Sequence, residues 1–252
     1  MMKGNLLHGA DYLARGARML GHPSLRTFVV IPLLVNIIIF ASLWSMAFTF
    51  LGETVERWMA ALPDWLTFLE WLLWPLLIAL FALLTGYLFT AVALLIASPF
   101  NSLLAEKAEE LATGRPVAGL EGLWPALLSV PRSMWREVQK LLYYLPMALL
   151  VLVLTFIPPV SAISPLLWFL LGAWMMSLQF IDYPMDNHQL SFARVREAAR
   201  SRRLSSLGFG GLVAVCAGIP VVNFFVVPAA VVGATLLWCE ELQDQASSSL
   251  GG

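Results

Sequence analysis

The chain has 252 residues, of which 60% are hydrophobic and only 12% are charged, with a mean hydropathy of +0.80 and a formal net charge of −1. Soluble globular domains are nearer half apolar and a quarter charged, so this composition excludes an ordinary soluble domain and predicts a single-domain integral membrane protein. A net charge near zero implies no bulk attraction to nucleic acid, and we expect no nucleic-acid partner. Cys216 and Cys239 lack metal-ligand or CxxC spacing, which favours apolar packing roles.

Residues 1–20 have the pattern of an amphipathic helix. An apolar face recurs at a period near 3.6, and Asp11, Arg15 and Arg18 fall on the opposite face. The pattern predicts a helix lying in the membrane interface, with packing on a soluble face as the alternative. The predicted apolar face consists of Leu6, Ala10, Leu13, Ala17 and Leu20.

Two long apolar runs follow, at residues 27–51 and 65–97. As helices they would reach about 37 Å and about 50 Å, beyond the roughly 30 Å hydrocarbon layer, so each is predicted to span the membrane. A polar connection at residues 52–64 separates them. We expect Pro99 to interrupt the second run and residues 101–113 to form a charged cytoplasmic helix that stops at Gly114.

The second half predicts a cytoplasmic helix at residues 131–143 and two proline-broken apolar hairpins, at residues 145–181 and 207–238. The first arm, residues 145–157, would be about 20 Å long, too short to cross. Pro158 and Pro220 open the two breaks. We expect each hairpin to penetrate partway, with six full spans as the alternative. The fold is thus all-α, with one membrane domain at residues 1–246 and a flexible tail at residues 247–252.

The basic residues predict the orientation of the chain. Fourteen of the fifteen Lys and Arg residues fall in three blocks, at residues 3–26, 107–140 and 194–203, and Arg57 is the exception. The positive-inside rule places these blocks in the cytoplasm and the loop at residues 52–64 outside.

Nucleotide and catalytic motifs do not occur in the sequence. It contains no GxxxxGK[ST] loop, no HExxH and no GxSxG, and His8, His22 and His188 are scattered. We therefore predict that the chain is not an enzyme and has neither a metal nor another cofactor.

A short polar break at residues 21–27 precedes the first long apolar run. Ser24 is predicted to cap the helix, whose first N–H groups carry the positive end of the macrodipole. Arg26 adds a permanent positive charge that can hold two oxygens of a tetrahedral oxyanion. The alternative is that Arg26 anchors the topology by binding lipid phosphate.

Charged residues in the middle of the chain form a second candidate site. Arg132, Arg136 and Lys140 are spaced by four residues and share one helix face. They would either line a polar path, with Glu106 as counter-charge, or rest on anionic headgroups. The polar residues near the end of the first hairpin, Asp182, Asp186 and Asn187, are predicted to serve in capping and turn formation.

Taken together, residues 8–242 resemble the CysZ family of bacterial sulfate transporters, which shares a domain with the etoposide-induced membrane proteins. The resemblance rests on several separate stretches of the chain. They are Arg26 with Phe28 and IPLLVN at 31–36; PDWL at 63–66 and LWPL at 73–76; PFN at 99–101 with LLAE at 103–106; Pro131-Arg132 with Arg136-Glu137 and Gln139-Lys140; YLP at 144–146; LWFL at 167–170; and DYP at 182–184 with DNH at 186–188.

The resemblance implies sulfate uptake across the bacterial inner membrane by a channel-like, ATP-independent route that feeds sulfate reduction and cysteine synthesis. It also implies a multi-pass homo-oligomer built from dimers, with sulfate and membrane lipids as partners. Alternatives are a transporter of thiosulfate or phosphate, or a non-transporting membrane scaffold or regulator.

By position, the family's sulfate-binding turn falls here on Ser24, Leu25, Arg26 and Thr27. Ser24 stands where the family has glycine, and Thr27 stands where it has a second arginine, so half of the fixed positive charge is absent. The candidate pore or gating residues are Asn101, Glu106, Arg132, Arg136, Lys140, Asp182, Asp186 and Asn187.

Overall fold

The computed structural model describes residues 4–60, 68–117 and 130–243. Throughout these ranges the regular structure is helical and no strand occurs, which confirms the predicted all-α class. The chain divides into two compact units, one formed by Val30–Ala97 and the other by Met1–Val29 together with Ser98–Gly252.

The helices are numbered here in chain order. They are α1 (Leu6–Met19), α2 (Pro23–Ala60), α3 (Phe68–Thr113), α4 (Val130–Thr155), the single turn α5 (Pro158–Ser161), α6 (Ser164–Asn187), α7 (Phe192–Ser201), α8 (Arg203–Ala217) and α9 (Pro220–Leu237), which ends in a π-helical turn (Trp238–Leu242).

The two longest helices contain the predicted spans. α2 has 38 residues and includes all of 27–51, whereas α3 has 46 residues and includes 68–97; residues 65–67 lie outside the described ranges. The predicted interruption at Pro99 is wrong, because α3 continues through it to Thr113. One proline removes one backbone donor, and the neighbouring turns still hold the helix. The predicted stop is confirmed: Gly114 has φ +68°, and its N–H donates to the Glu110 carbonyl at 2.9 Å.

The first hairpin also has fewer breaks than its prolines predict. The predicted helix at 131–143 and the predicted arm at 145–157 form one helix of 26 residues across Pro146. At about 39 Å it is long enough to cross the hydrocarbon layer. The return helix α6 extends beyond residue 181 to Asn187. The predicted breaks before Pro158 and Pro220 are confirmed, because α5 and α9 begin at these residues.

Four helical segments within the described ranges are long and apolar enough to cross a membrane. They are Pro23–Thr54, Pro131–Thr155, Ser164–Asn187 and Phe225–Leu242, while Arg203–Ala217 is apolar but shorter. The chain is therefore a membrane protein with several helices able to span. Partial penetration by the hairpins stays a prediction.

The core of the larger unit is formed by α1, α6, α8 and α9. Glycines let these helices approach backbone to backbone, as small residues do in membrane bundles. A Cβ on Gly9 would lie 2.0 Å from the Ser205 carbonyl oxygen, and a Cβ on Gly16 would lie 2.3 Å from the Ala229 carbonyl oxygen. The buried face of α1 is thus Gly9, Tyr12, Leu13 and Gly16. Of the apolar face predicted for this helix, only Leu13 is buried.

Candidate functional site

Charged side chains of α4 and α6 meet in one ladder across the first hairpin. The basic stripe of α4 is spaced by four residues, and the two aspartates of α6 have the same spacing, so both sets face each other along the antiparallel pair. We call this group the charged ladder; its members are Arg132, Arg136, Glu137, Lys140, Asp182 and Asp186.

Arg136 is the centre of the charged ladder. Its side chain is 6% exposed and that of Asp182 is 7% exposed, and the two form an ion pair in which Arg136 Nε donates to Asp182 Oδ1 at 3.1 Å. Nη1 of Arg136 lies 3.0 Å from Asp186 Oδ1 and donates to the Leu190 carbonyl at 2.6 Å. A buried charge is tolerated only with such partners, and a guanidinium can serve several acceptors at once.

Lys140 closes one end of the ladder and Arg132 closes the other. The Lys140 ammonium is 5% exposed and lies 2.9 Å from Asp182 Oδ2 and 2.7 Å from Glu137 Oε1, and it donates to Gln179 Oε1 at 3.1 Å. Arg132 is 46% exposed and lies 3.0 Å from Asp186 Oδ1. Glu137 is 57% exposed, so the ladder reaches the surface at both ends and the Arg136–Asp182 pair lies buried between them.

The charged ladder is electrically balanced and closed. Its three cations face three carboxylates, so no net positive charge is left for an incoming anion. The space between its side chains is about 10 Å³, which is at most one water molecule. A tetrahedral oxyanion does not fit there unless the two helices or their side chains move.

Two of the remaining predicted pore residues tie α3 to α6. Asn187 Nδ2 donates to the Ser102 carbonyl at 2.8 Å, and Asn101 Nδ2 donates to the Tyr183 hydroxyl at 3.3 Å. Glu106 is half-buried on α3. The predicted capping and turn role of Asp182 and Asp186 is wrong, because α6 continues past both and they pair with α4 instead.

The turn predicted to bind sulfate lies at the start of α2. His22 caps this helix: its Nδ1 accepts from the Ser24 N–H at 3.3 Å, so the prediction that Ser24 is the cap is wrong. The N–H groups of Leu25 and Arg26 both donate to the His22 carbonyl, at 3.0 and 3.3 Å. The amides expected to hold an anion are thus engaged within the turn.

Side chains of the same turn divide into an anchor and an accessible group. Leu25 is fully buried in the core, whereas Arg26 and Thr27 are exposed and Ser24 is half-buried. Within the described ranges, no hydrogen bond or ion pair engages the Arg26 guanidinium. Leu25 therefore fixes the turn, and Arg26 presents a cation that no described residue pairs, in a turn that also carries the Ser24 and Thr27 hydroxyls.

Two polar contacts were not predicted from the sequence. His188 Nε2 lies 2.8 Å from Oε1 of Glu109, a side chain only 3% exposed, and this hydrogen bond raises the pKa of His188 above its ordinary value despite partial burial.

The buried Tyr12 hydroxyl donates to Glu240 at 3.1 Å and to Glu241 at 3.3 Å. Burial and both carboxylates raise the pKa of Tyr12. A partner 228 residues away leaves no local signal in the sequence.

Nearly the whole chain is similar to known proteins. The family model described as sulfate transporter CysZ/etoposide-induced protein 2.4 matches residues 12–228. Proteins named sulfate transporter CysZ, from Pseudomonas aeruginosa strains LESB58 and PAO1 and from Pseudomonas paraeruginosa strain PA7, are each 43% identical to this chain over 245 residues. Each alignment covers 95% of this chain and 98% of the relative. The chain therefore belongs to the sulfate transporter CysZ/etoposide-induced protein 2.4 family.

Proposed function

We propose that this protein carries sulfate across the bacterial inner membrane, by a channel-like route without ATP, and so supplies sulfate reduction and cysteine synthesis. The name of the relatives at 43% identity, with nearly full coverage of both chains, supports sulfate as the substrate. The apolar helices support a multi-pass arrangement. We also propose that the protein forms homo-oligomers built from dimers and that it contacts membrane lipids.

The observation that carries the proposal is the exposed Arg26 at the start of α2. A guanidinium keeps its charge at all relevant pH values and can donate two parallel hydrogen bonds to a tetrahedral dianion. The hydroxyls of Ser24 and Thr27, three residues apart on the helix, can donate one bond each. An anion arriving here can also replace the His22 ring as the acceptor for the Ser24 N–H.

The charged ladder is proposed as the gate of the polar route. Sulfate carries two negative charges, so it can take the place of carboxylates next to Arg136 and Lys140 without changing the charge balance of the site. The small space inside the ladder corresponds to the closed state. Opening the ladder would also move the neighbouring part of α3, which carries Asn101 and Glu106, and the end of α6, which carries Asn187.

The test of the Arg26 site is sulfate flux and sulfate binding in proteoliposomes. We compare the parent protein with Arg26→Gln and with Arg203→Gln, a control that removes the same charge from an exposed residue at the start of α8. We expect Arg26→Gln to weaken sulfate binding by about tenfold, equivalent to about 1.4 kcal/mol, and Arg203→Gln to leave it unchanged. Equal binding by all three proteins would reduce Arg26 to a topology anchor, and absence of flux in the parent would overturn transport itself.

Selectivity and coupling are tested in the same vesicles. Competition by thiosulfate and phosphate at equal concentration separates a sulfate transporter from a transporter of another oxyanion. A membrane potential of either sign should drive flux in the direction of the electrochemical gradient. Flux that requires a proton or sodium gradient would contradict the channel-like route.

A further inference from the structure

A second cavity lies between α4 and α7, away from the Ser24–Thr27 turn. Its volume is about 540 Å³, far larger than the space in the charged ladder. The α4 wall runs from Gln139 to Met147, about 12 Å along the helix axis. Along that length the helix changes from the charged residues of the ladder to an uninterrupted apolar sequence.

The polar end of this cavity contains a cation for which the described residues supply no acidic partner. Arg196, on α7, is stacked on two aromatic rings, with its Cζ 4.9 Å from the Tyr143 ring centre and 5.4 Å from the Phe192 ring centre. Its Nε is buried and has no hydrogen-bond acceptor among the described residues. The two terminal nitrogens of Arg196 are not buried and have no hydrogen-bond partner among the described residues, so they are the donors that a ligand in the cavity can reach.

The other end of the cavity is apolar. Leu142, Pro146 and Met147 line it on α4, in a segment long and apolar enough to cross the membrane. A small oxyanion would use the cation but leave this wall uncovered. An amphiphile with an anionic head and a hydrocarbon tail would use both ends.

We propose that this cavity binds an anionic phospholipid, with its phosphate against Arg196 and an acyl chain along Leu142, Pro146 and Met147. The rings hold the guanidinium in place, and the phosphate oxygens accept from its two terminal nitrogens. Arg200 lies outside the cavity lining, and its Nη2 donates to the Tyr143 hydroxyl at 3.3 Å, which helps to hold the ring on which Arg196 is stacked. This site does not depend on sulfate being the transported substrate.

The experiment is native mass spectrometry of the full-length protein titrated with phosphatidylglycerol or phosphatidylcholine of the same acyl chains. Arg196→Gln removes the charge, Met147→Trp fills the apolar end without changing the charge, and Arg203→Gln is the charge-matched control. We expect Arg196→Gln to weaken the tightest phosphatidylglycerol site by about tenfold, equivalent to about 1.4 kcal/mol, and to weaken phosphatidylcholine binding by less, because the choline cation offsets the charge of its phosphate. Met147→Trp should weaken that site for either lipid, and Arg203→Gln should leave it intact.

Three results would overturn the proposal. If phosphatidylcholine binds the parent as tightly as phosphatidylglycerol, Arg196 does not select a headgroup. If Arg196→Gln and Arg203→Gln behave alike, the effect is bulk charge. If millimolar sulfate or inorganic phosphate displaces the lipid and Met147→Trp has no effect, the cavity is a small-anion site and the acyl chain plays no part.

Discussion

Gly210 and Gly211 are adjacent on α8 but have opposite surroundings. A Cβ on Gly210 would lie 2.0 Å from the Ala173 carbonyl oxygen and 2.3 Å from the Ser177 hydroxyl on α6. A Cβ on Gly211 would meet its nearest atoms at 3.8 and 3.9 Å, which is ordinary contact. The pair therefore isolates the effect of close helix approach from the effect of removing a glycine.

Gly210→Ala and Gly211→Ala are expected to change the free energy of unfolding in opposite directions. A carbon approaches a carbonyl oxygen to about 3.3 Å, so Gly210→Ala forces α6 and α8 apart by more than about 1 Å. Such overpacking costs about 1–3 kcal/mol or more. Alanine is favoured over glycine inside a helix by about 1 kcal/mol, and Gly211→Ala gains this without a clash. We expect Gly210→Ala to be less stable than Gly211→Ala by about 2–4 kcal/mol.

The assay is the unfolding midpoint of detergent-solubilised protein, followed as loss of the monodisperse peak on heating. For a chain of this size, 1 kcal/mol shifts the midpoint by about 2–4 °C. Gly211→Ala should melt at or slightly above the parent, and Gly210→Ala should melt several degrees below it. Similar midpoints for the two variants would show that the α6–α8 approach is not as close as described.

Three further changes test other parts of the molecule. Asp182→Asn leaves buried Arg136 and Lys140 short of a counter-charge and should lower the free energy of unfolding by about 3–5 kcal/mol. Adding Arg136→Met should recover part of that loss. If the losses of the two single variants simply added in the double variant, the result would contradict the ion pair. The pKa of His188 is raised in the folded state by its hydrogen bond to Glu109, so the stability from this pair is complete below about pH 6.5 and is lost as the pH rises through the folded-state pKa. Unfolding midpoints at pH 6.0 and 8.5 should therefore differ more for the parent than for His188→Gln. An equal pH response of the two proteins would exclude the His188–Glu109 pair. Tyr12→Phe removes a donor to two glutamates and should lower the free energy of unfolding by about 1–2 kcal/mol in chemical denaturation, whereas an unchanged value would mean that water replaces the hydroxyl.

Helix periodicity and proline positions carried most of the fold that could be predicted. The stripe of Arg132, Arg136 and Lys140 follows from a spacing of four, and the breaks at Pro158 and Pro220 follow from the missing backbone donor. The same rule misplaced a helix boundary at Pro99, because a single missing donor does not end a long apolar helix. A proline always weakens a helix locally, but a helix as long as α3 continues through it because the neighbouring turns keep their hydrogen bonds.

The partners of the charged stripe could not be predicted from spacing alone. Asp182 and Asp186 have the spacing that matches Arg132, Arg136 and Lys140, but pairing them requires the register of α4 against α6. Matching two charged stripes of opposite sign across the hairpin would have supplied that register. An unpaired buried charge costs several kcal/mol, so the register that pairs the two stripes is the one expected to be stable.

Glycine contacts were the least predictable part. Gly172 and Gly233 occupy similar positions, each followed by alanine in the return arm of a hairpin. A Cβ on Gly172 would meet nothing within 4 Å, whereas a Cβ on Gly233 would lie 2.6 Å from the Tyr12 carbonyl oxygen. The similar sequence positions of the two glycines therefore do not show which one lies in a helix–helix interface. That depends on α1, which among the described helices packs closely on α8 and α9 of the second hairpin.

The packing of α1 on α8 and α9 imposes an order on biogenesis. The Tyr12 hydroxyl meets Glu240 across 228 residues, and the Asn5 N–H donates to the Ser205 hydroxyl across 200. At 5–20 residues per second a ribosome needs roughly 10–50 s to synthesise the intervening chain. During that interval α1 is made but its partners are not, and its apolar surface has to be covered by lipid or by the insertion machinery. The turn that carries Arg26 is joined to α1 by three residues and anchored through Leu25 in the same core, so it reaches its final setting only when the last helix is in place.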